Sequence, residues 1–260
     1  MNIAIVLADS VTKLPPEAEG GVIVGGSHGA IYAAYCSLKA RPRAAIHHDA
    51  GIGRDEAGVS GLPWAEAHGM AMAAVATDSA HIGDAKDMLA RGVISRINGL
   101  AEACGVAPGQ SVAEAVERLK SAPWPPKKPE PLAEGRYLID RVVCLDSLSM
   151  ADERDTGRVL ATGSHGGVPA GETALKVKPL LALFNDAGFG ADRAGSAGLA
   201  ILDRSNIASA TVAALSARIG DGRSTLGGVF SAVNQAAYRL GARVGSPALA
   251  LARAVAENRP

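Results

Sequence analysis

The chain repeats itself. Displaced by 137 positions, residues 3–89 fall on residues 140–226 without a gap, and 33 of the 87 pairs are identical. After one deletion the match resumes at an offset of 136, where "GVISRIN" at 92–98 lies on "GVFSAVN" at 228–234. A repeat this long constrains the fold strongly, because whatever one half folds into must also suit the other. Two copies do not make a solenoid, so the expectation is two equivalent modules related by an approximate two-fold axis. Between the copies, "SAPWPPKKPEPLAEG" at 121–135 holds five prolines. Proline removes a backbone donor and fixes φ, so this segment reads as an extended linker. The expected division is an N-terminal repeat over 1–120, a linker over 121–137 and a C-terminal repeat over 138–260.

Each copy alternates strand and helix patterns. In the first, "IAIVLA" (3–8), "GVIVG" (21–25) and "RAAIH" (43–47) read as buried strands, and "AIYAAYCSLKA" (30–40) reads as a helix that stops before Pro42. The stretch 60–82 is ambiguous alone. Gly69 aligns with Asn206, the two residue types that best tolerate a left-handed helix end, so a short helix over 61–68 and a fourth strand over 70–77 are predicted, with 207–214 as its counterpart. Asp84 and Asp221 suit the N-caps of helices running to about Gly105 and Gly241. Ser111 and Glu114 form a capping box, and Ser246 with Pro247 is its counterpart. The fold class is α/β: two modules, each a small parallel sheet flanked by helices in Rossmann- or flavodoxin-like layering.

The polar residues that both copies share fall, on this reading, just after strand ends, where open parallel sheets bind ligands. They are Asp9/Asp146, Ser10/Ser147, Ser27/Ser164, His28/His165, Asp49/Asp186, Ser79/Ser216 and Asp84/Asp221. Lys39/Lys176 and Asn98/Asn234 are also shared but are assigned to helices. Asp9, Ser10, Asp146 and Ser147 equally suit local turns. The glycines Gly26, Gly29, Gly51 and Gly53, with Gly163, Gly166, Gly188 and Gly190, permit tight turns that can also aim N–H groups at substrate oxygens.

Gly25-Gly26-Ser27-His28-Gly29 fits the G-x-S-x-G pattern of a nucleophile elbow, while the second copy begins with Thr162 in place of the first glycine. Ser27 and Ser164 are candidate nucleophiles or hydrogen-bond donors. His28, His165 and His48 are candidate bases, and Asp49 and Asp186 candidate orienting carboxylates. His48 has Asn185 as its counterpart. The same histidines also suit proton transfer without a covalent step.

A strand ending in Ser-His-Gly, followed by one ending in Asp-Ala, resembles the His and Cys segments of caspase-like peptidases over a short stretch of each module. The resemblance places Gly51 and Gly188 where that family has its nucleophilic cysteine, so it implies no thiol protease here.

The remaining features bound the function class. Lys and Arg total 26, as do Asp and Glu, and aromatics are 3%, which argues against nucleic acid as a partner. No apolar run is long enough for a membrane span, and the start lacks a signal-peptide pattern. Cys36, Cys104 and Cys144 form neither a disulfide framework nor a metal pattern. His47-His48-Asp49 is matched by Phe184-Asn185-Asp186, so no metal and no cofactor are expected. The expectation is a cytoplasmic hydrolase acting on an amide or ester of a small anionic metabolite. An isomerase or lyase using the same loops, and a non-enzymatic metabolite-binding protein, are the alternatives. A homo-oligomer is compatible with the sequence.

Overall fold

The computed structural model of the chain describes residues 3–258. Two compact units emerge, one running to Ile52 and continuing over Glu56–Leu132, the other made of Gly53–Asp55 and the chain from Ala133 onward. The first contains β1 (Ile5–Ala8), β2 (Val22–His28), α1 (Ile31–Lys39), β3 (Ala44–His48), α2 (Gly61–Ala67), β4 (Ala71–Val75), α3 (Ala85–Arg91), β5 (Ile94–Ile97), α4 (Gly99–Ala103) and α5 (Val112–Leu119). Its sheet has the order β1-β2-β3-β4-β5, with β1 to β4 parallel and β5 antiparallel to β4.

The second unit contains β6 (Arg136–Ile139), β7 (Val142–Leu145), β8 (Val159–His165), α6 (Val168–Val177), β9 (Leu181–Asn185), α7 (Gly198–Arg204), β10 (Ala208–Val212), α8 (Gly222–Leu226), β11 (Phe230–Val233), α9 (Gln235–Arg239) and α10 (Ala248–Glu257). Its sheet order is β11-β10-β9-β8-β7-β6. Strands β7 to β10 are parallel, while β6 and β11 pair antiparallel at the two edges.

Period-two alternation buries both faces of the parallel strands. Val22, Val24, Ala44 and Ile46 pack with Met88, Val116 and Leu119 on one face, while Ile23, Ala45 and Met72 pack with Ala34, Leu38 and Leu62 on the other. The fourth strands lie at 71–75 and 208–212, and Gly69 and Asn206 have φ of 78° and 55°, the left-handed conformation that ends α2 and α7.

Three expectations are corrected. The sheets are mixed rather than parallel, because the helices after Asp84 and Asp221 are short and a strand follows each. At Gly92 the chain leaves α3 in extended conformation, at a spot where a Cβ would lie 2.8 Å from Val112 and 2.9 Å from Val75. The expected linker ends early, since Arg136–Ile139 is already an edge strand, held by the Asp140-Arg141 turn with both φ positive and by an ion pair from Arg136 to the buried Asp155. Helix α10 lacks the expected Ser246 cap, because that hydroxyl donates to Arg243 O at 2.8 Å instead.

Asn98, expected on a helix, is the N-cap of α4 and links four backbone groups. Its Oδ1 accepts from Met72 N and Ala101 N at 3.0 Å each, and its Nδ2 donates to Met70 O at 2.9 Å and Leu62 O at 3.3 Å. Asn234 does the same work for Ser209 N, Ala237 N and Ile207 O. Asn98→Ala leaves these buried groups unpaired and is expected to cost about 3 kcal/mol in urea unfolding. Lys39→Ala, on the exposed side of α1, should stay within about 0.5 kcal/mol.

Candidate functional site

Strand β2 pairs in register with β3 as far as Val24↔Ile46, and the next pair is His28↔His48, so β2 spends four steps where β3 spends two. Strand β8 repeats this, passing from Ala161↔Leu183 to His165↔Asn185. The extra residues are accommodated at Gly26 and Gly163. A Cβ on Gly26 would lie 2.8–2.9 Å from Asp9 O, Asp84 N and Gly83 C, and Gly26 O accepts from Gly83 N at 2.8 Å. Gly163 meets Asp146, Gly220 and Asp221 in the same way. These glycines admit neighbouring backbone rather than substrate.

Ser27 and Ser164 therefore sit in bulged strand ends, not at the tip of a strand-to-helix turn, and the nucleophile-elbow expectation is corrected. Each hydroxyl is held by a backbone amide rather than an imidazole: Ser27 Oγ accepts from Val11 N at 3.2 Å, and Ser164 Oγ from Leu148 N at 2.9 Å. His28 Nδ1 accepts from Ala30 N at 3.3 Å, and His165 Nδ1 from Gly167 N at 3.1 Å. A ring nitrogen that accepts is unprotonated, so the proton of the neutral ring is on Nε2. Burial first, then His47 and His48 nearby, lower the His28 pKa from its ordinary 6.5 to about 4.

His48 is not available as a base. Its Nδ1 accepts from Ala50 N at 3.0 Å and its Nε2 donates to Ala80 O at 3.1 Å in a fully buried site. Asn185 reproduces both bonds, with Oδ1 accepting from Ala187 N at 2.9 Å and Nδ2 donating to Ala217 O at 3.0 Å. His47 was read from the sequence only as part of the His47-His48-Asp49 cluster. Its Nδ1 donates to His28 O at 3.3 Å and its Nε2 accepts from Ser37 Oγ at 2.9 Å. The matching residues in the second unit are Phe184 and Ala174, an apolar pair in place of a polar one.

Asp49 and Asp186 fold the next turn rather than orient a histidine. Asp49 Oδ1 accepts from Gly51 N at 2.9 Å and Oδ2 from Ser95 Oγ at 2.8 Å, while Asp186 Oδ1 accepts from Gly188 N and Ala214 N at 2.9 Å each. Behind each carboxylate runs a left-handed stretch, Ala50-Gly51-Ile52-Gly53 with φ of 51–70° and Ala187-Gly188-Phe189-Gly190 with φ of 49–74°. The N–H groups of Ala50, Gly51 and Ile52 are taken up locally by His48 Nδ1, Asp49 Oδ1 and Asp49 O. Ile52 at φ 62° is β-branched and strained.

The other shared residues make hydrogen bonds to neighbouring backbone and side chains. Asp9 and Asp146 accept from the first helical amides, Ala85 N at 3.0 Å and Gly222 N at 3.3 Å. Asp84 and Asp221 are the N-caps of α3 and α8. Ser79 and Ser216 each donate to a carbonyl three residues back and accept from Val93 N and Val229 N. Ser10 and Ser147 form exposed turns with Thr12 and Ser149. Gly29 N and Gly166 N donate to His48 O and Asn185 O.

What the strand ends leave for chemistry is a set of donors. The imidazoles of His28 and His165 and the hydroxyls of Ser27 and Ser164 are only partly covered. Helices α1 and α6 begin just beyond them at Ala30 and Gly167 without a side-chain cap. Among the described residues no three His, Cys, Asp or Glu side chains gather as a metal set. Comparisons with protein-family profiles, curated proteins and solved structures found no match.

The histidines make the first unit acid-sensitive. The His47 pKa is lowered by burial from 6.5 to about 4, so between these values the unfolded chain binds more protons and stability falls as pH falls. This term amounts to about 3 kcal/mol when complete. Ser37→Ala with His47→Phe, the pair present in the second unit, should remove this contribution and make the fall of the urea midpoint between pH 6.5 and 4 shallower, with the rest of the fall left to His28 and His48. His48→Asn should leave stability at pH 7.5 within about 1 kcal/mol of the parent, since Asn185 shows that the amide makes both bonds.

Proposed function

We propose that the chain is a cytoplasmic small-molecule enzyme whose two units, products of a tandem duplication, polarise a carbonyl of an anionic metabolite. The observation that carries this reading is the amide bond into Nδ1 of His28, which places the proton of the neutral ring on Nε2; His165 Nδ1 accepts an amide in the same way. A neutral imidazole beside a helix N-terminus can hydrogen-bond a carbonyl oxygen and stabilise the negative charge that develops on it. The Ser27 and Ser164 hydroxyls add donors, and the uncapped starts of α1 and α6 favour an anionic group. Among the described residues no disulfide joins Cys36, Cys104 or Cys144, which suits a reducing compartment, and no helix is long and apolar enough to cross a membrane.

Hydrolysis of an amide or ester suits such a donor set, with water as the nucleophile because each serine hydroxyl accepts from a backbone amide; the proton that water loses passes through solvent to the leaving amine or alcohol. Isomerisation or lysis through an enolate would use the same donors and additionally needs a proton acceptor; the aspartates at the strand ends are occupied by backbone amides. Substrate is to be found by screening small anionic amides and esters. With it in hand, H28Q/H165Q is expected to lower kcat about 100-fold or more, and S27A/S164A about tenfold. A loss beyond about a thousandfold in S27A/S164A, with a burst of product in the parent enzyme, would establish a covalent serine mechanism instead. Deuterium washing into unreacted substrate in D2O would move the assignment to the isomerase or lyase class.

A further inference from the structure

Strand β1 is the outer strand of the first sheet, and among the described residues nothing pairs with its free side. Val22 N donates to Ala4 O at 2.9 Å, so Ala4, Val6 and Ala8 turn their backbone groups toward β2. By strand alternation Ile5 and Leu7 turn theirs outward. The side chains of Ile5 and Leu7 share one face and are 39% and 38% exposed. Edge strands are ordinarily protected by a charge, a proline or a bulge. Residues 3–8, Ile-Ala-Ile-Val-Leu-Ala, carry no charge and no proline, and the β1–β2 register is unbroken.

The second unit shows how the matching edge is completed. Val142 and Cys144 occupy the positions of Ile5 and Leu7, and both are fully buried. They lie opposite Ile139 and Tyr137 of the antiparallel strand β6, and they share an apolar cluster with Ala252 and Ala256 of α10. Strand β6 is itself protected, with Arg136 at one end and an Asp140–Arg253 ion pair at the other. The first unit has the same edge without its antiparallel strand.

We infer that β1 pairs antiparallel with β1 of a second copy of this chain, joining two first-unit sheets about a two-fold axis through Val6. This register sets Ile5 opposite Leu7 of the partner subunit and Leu7 opposite Ile5 of the partner subunit. Each such pair exchanges two N–H···O bonds through the groups that face outward. It also keeps all four apolar side chains on one face, which no register shifted by one residue does. The partner subunit's Leu7 and Ile5 then stand where Ile139 and Tyr137 stand in the second unit. The contact is small, so the dimer is weak and concentration-dependent.

Light scattering after gel filtration, run on the full chain from about 1 to about 100 μM, should show mass rising toward the dimer. Ile5→Lys with Leu7→Lys should remain monomeric at every concentration with an unchanged circular-dichroism melt, while Leu138→Lys on β6 should dimerise like the parent. As a second measurement, a mixture of Ile5→Cys and Leu7→Cys chains should form a cross-linked dimer on oxidation faster than either chain alone, because the opposed Cα atoms lie about 5.5 Å apart. A parent chain that is monomeric throughout overturns the inference, as does a dimer untouched by the lysines or cross-linking without preference for the mixture.

Discussion

Much of each unit depends on one close approach, that of Gly26 to the backbone of Asp9, Gly83 and Asp84, with Gly163 in the same position in the second unit. A methyl group at either glycine would force apart the end of one strand, the bulge of the next and the start of the helix that follows β4 or β10. That contact is why β2 and β8 carry extra residues before their histidines, and the extra residues are why Ser27 and Ser164 lie beside a backbone amide. The position of the donors is thus a consequence of packing between loops.

The repeat made the strand–helix order legible, because each copy resolves ambiguities in the other. Gly69 alone says little, whereas Gly69 paired with Asn206 points to a left-handed helix end, and both residues adopt it. The capping box at Ser111 and Glu114 was legible for a simpler reason, since both of its bonds are local. Strands β5 and β11 were not legible. Each has four residues, and each is fixed by Asn98 or Asn234 bonding to a distant strand, a contact that leaves no local pattern.

At the site, residue types were legible and their roles were not. Gly-Ser-His-Gly after an apolar run looks the same whether the serine crowns a tight turn or lies in a bulge, and the difference is set by Gly83 and Gly220, more than fifty residues away. The pairing of His48 with Asn185 was visible but read as divergence, although the two side chains offer one acceptor and one donor at matching reach. The substitution of Ser37 and His47 by Ala174 and Phe184 shows the other kind of exchange, in which a hydrogen-bonded pair and an apolar pair fill the same place.

The turns behind Asp49 and Asp186 have inverted handedness, each with four consecutive residues of positive φ. Their tolerance of substitution is therefore inverted as well. An L-alanine at Gly51 or Gly188 meets the steric penalty of the left-handed region, whereas a D-alanine placed there by chemical ligation is at home in it and also restricts the unfolded chain. The loop next to the candidate site would thus become stiffer through a residue that no genetic code supplies.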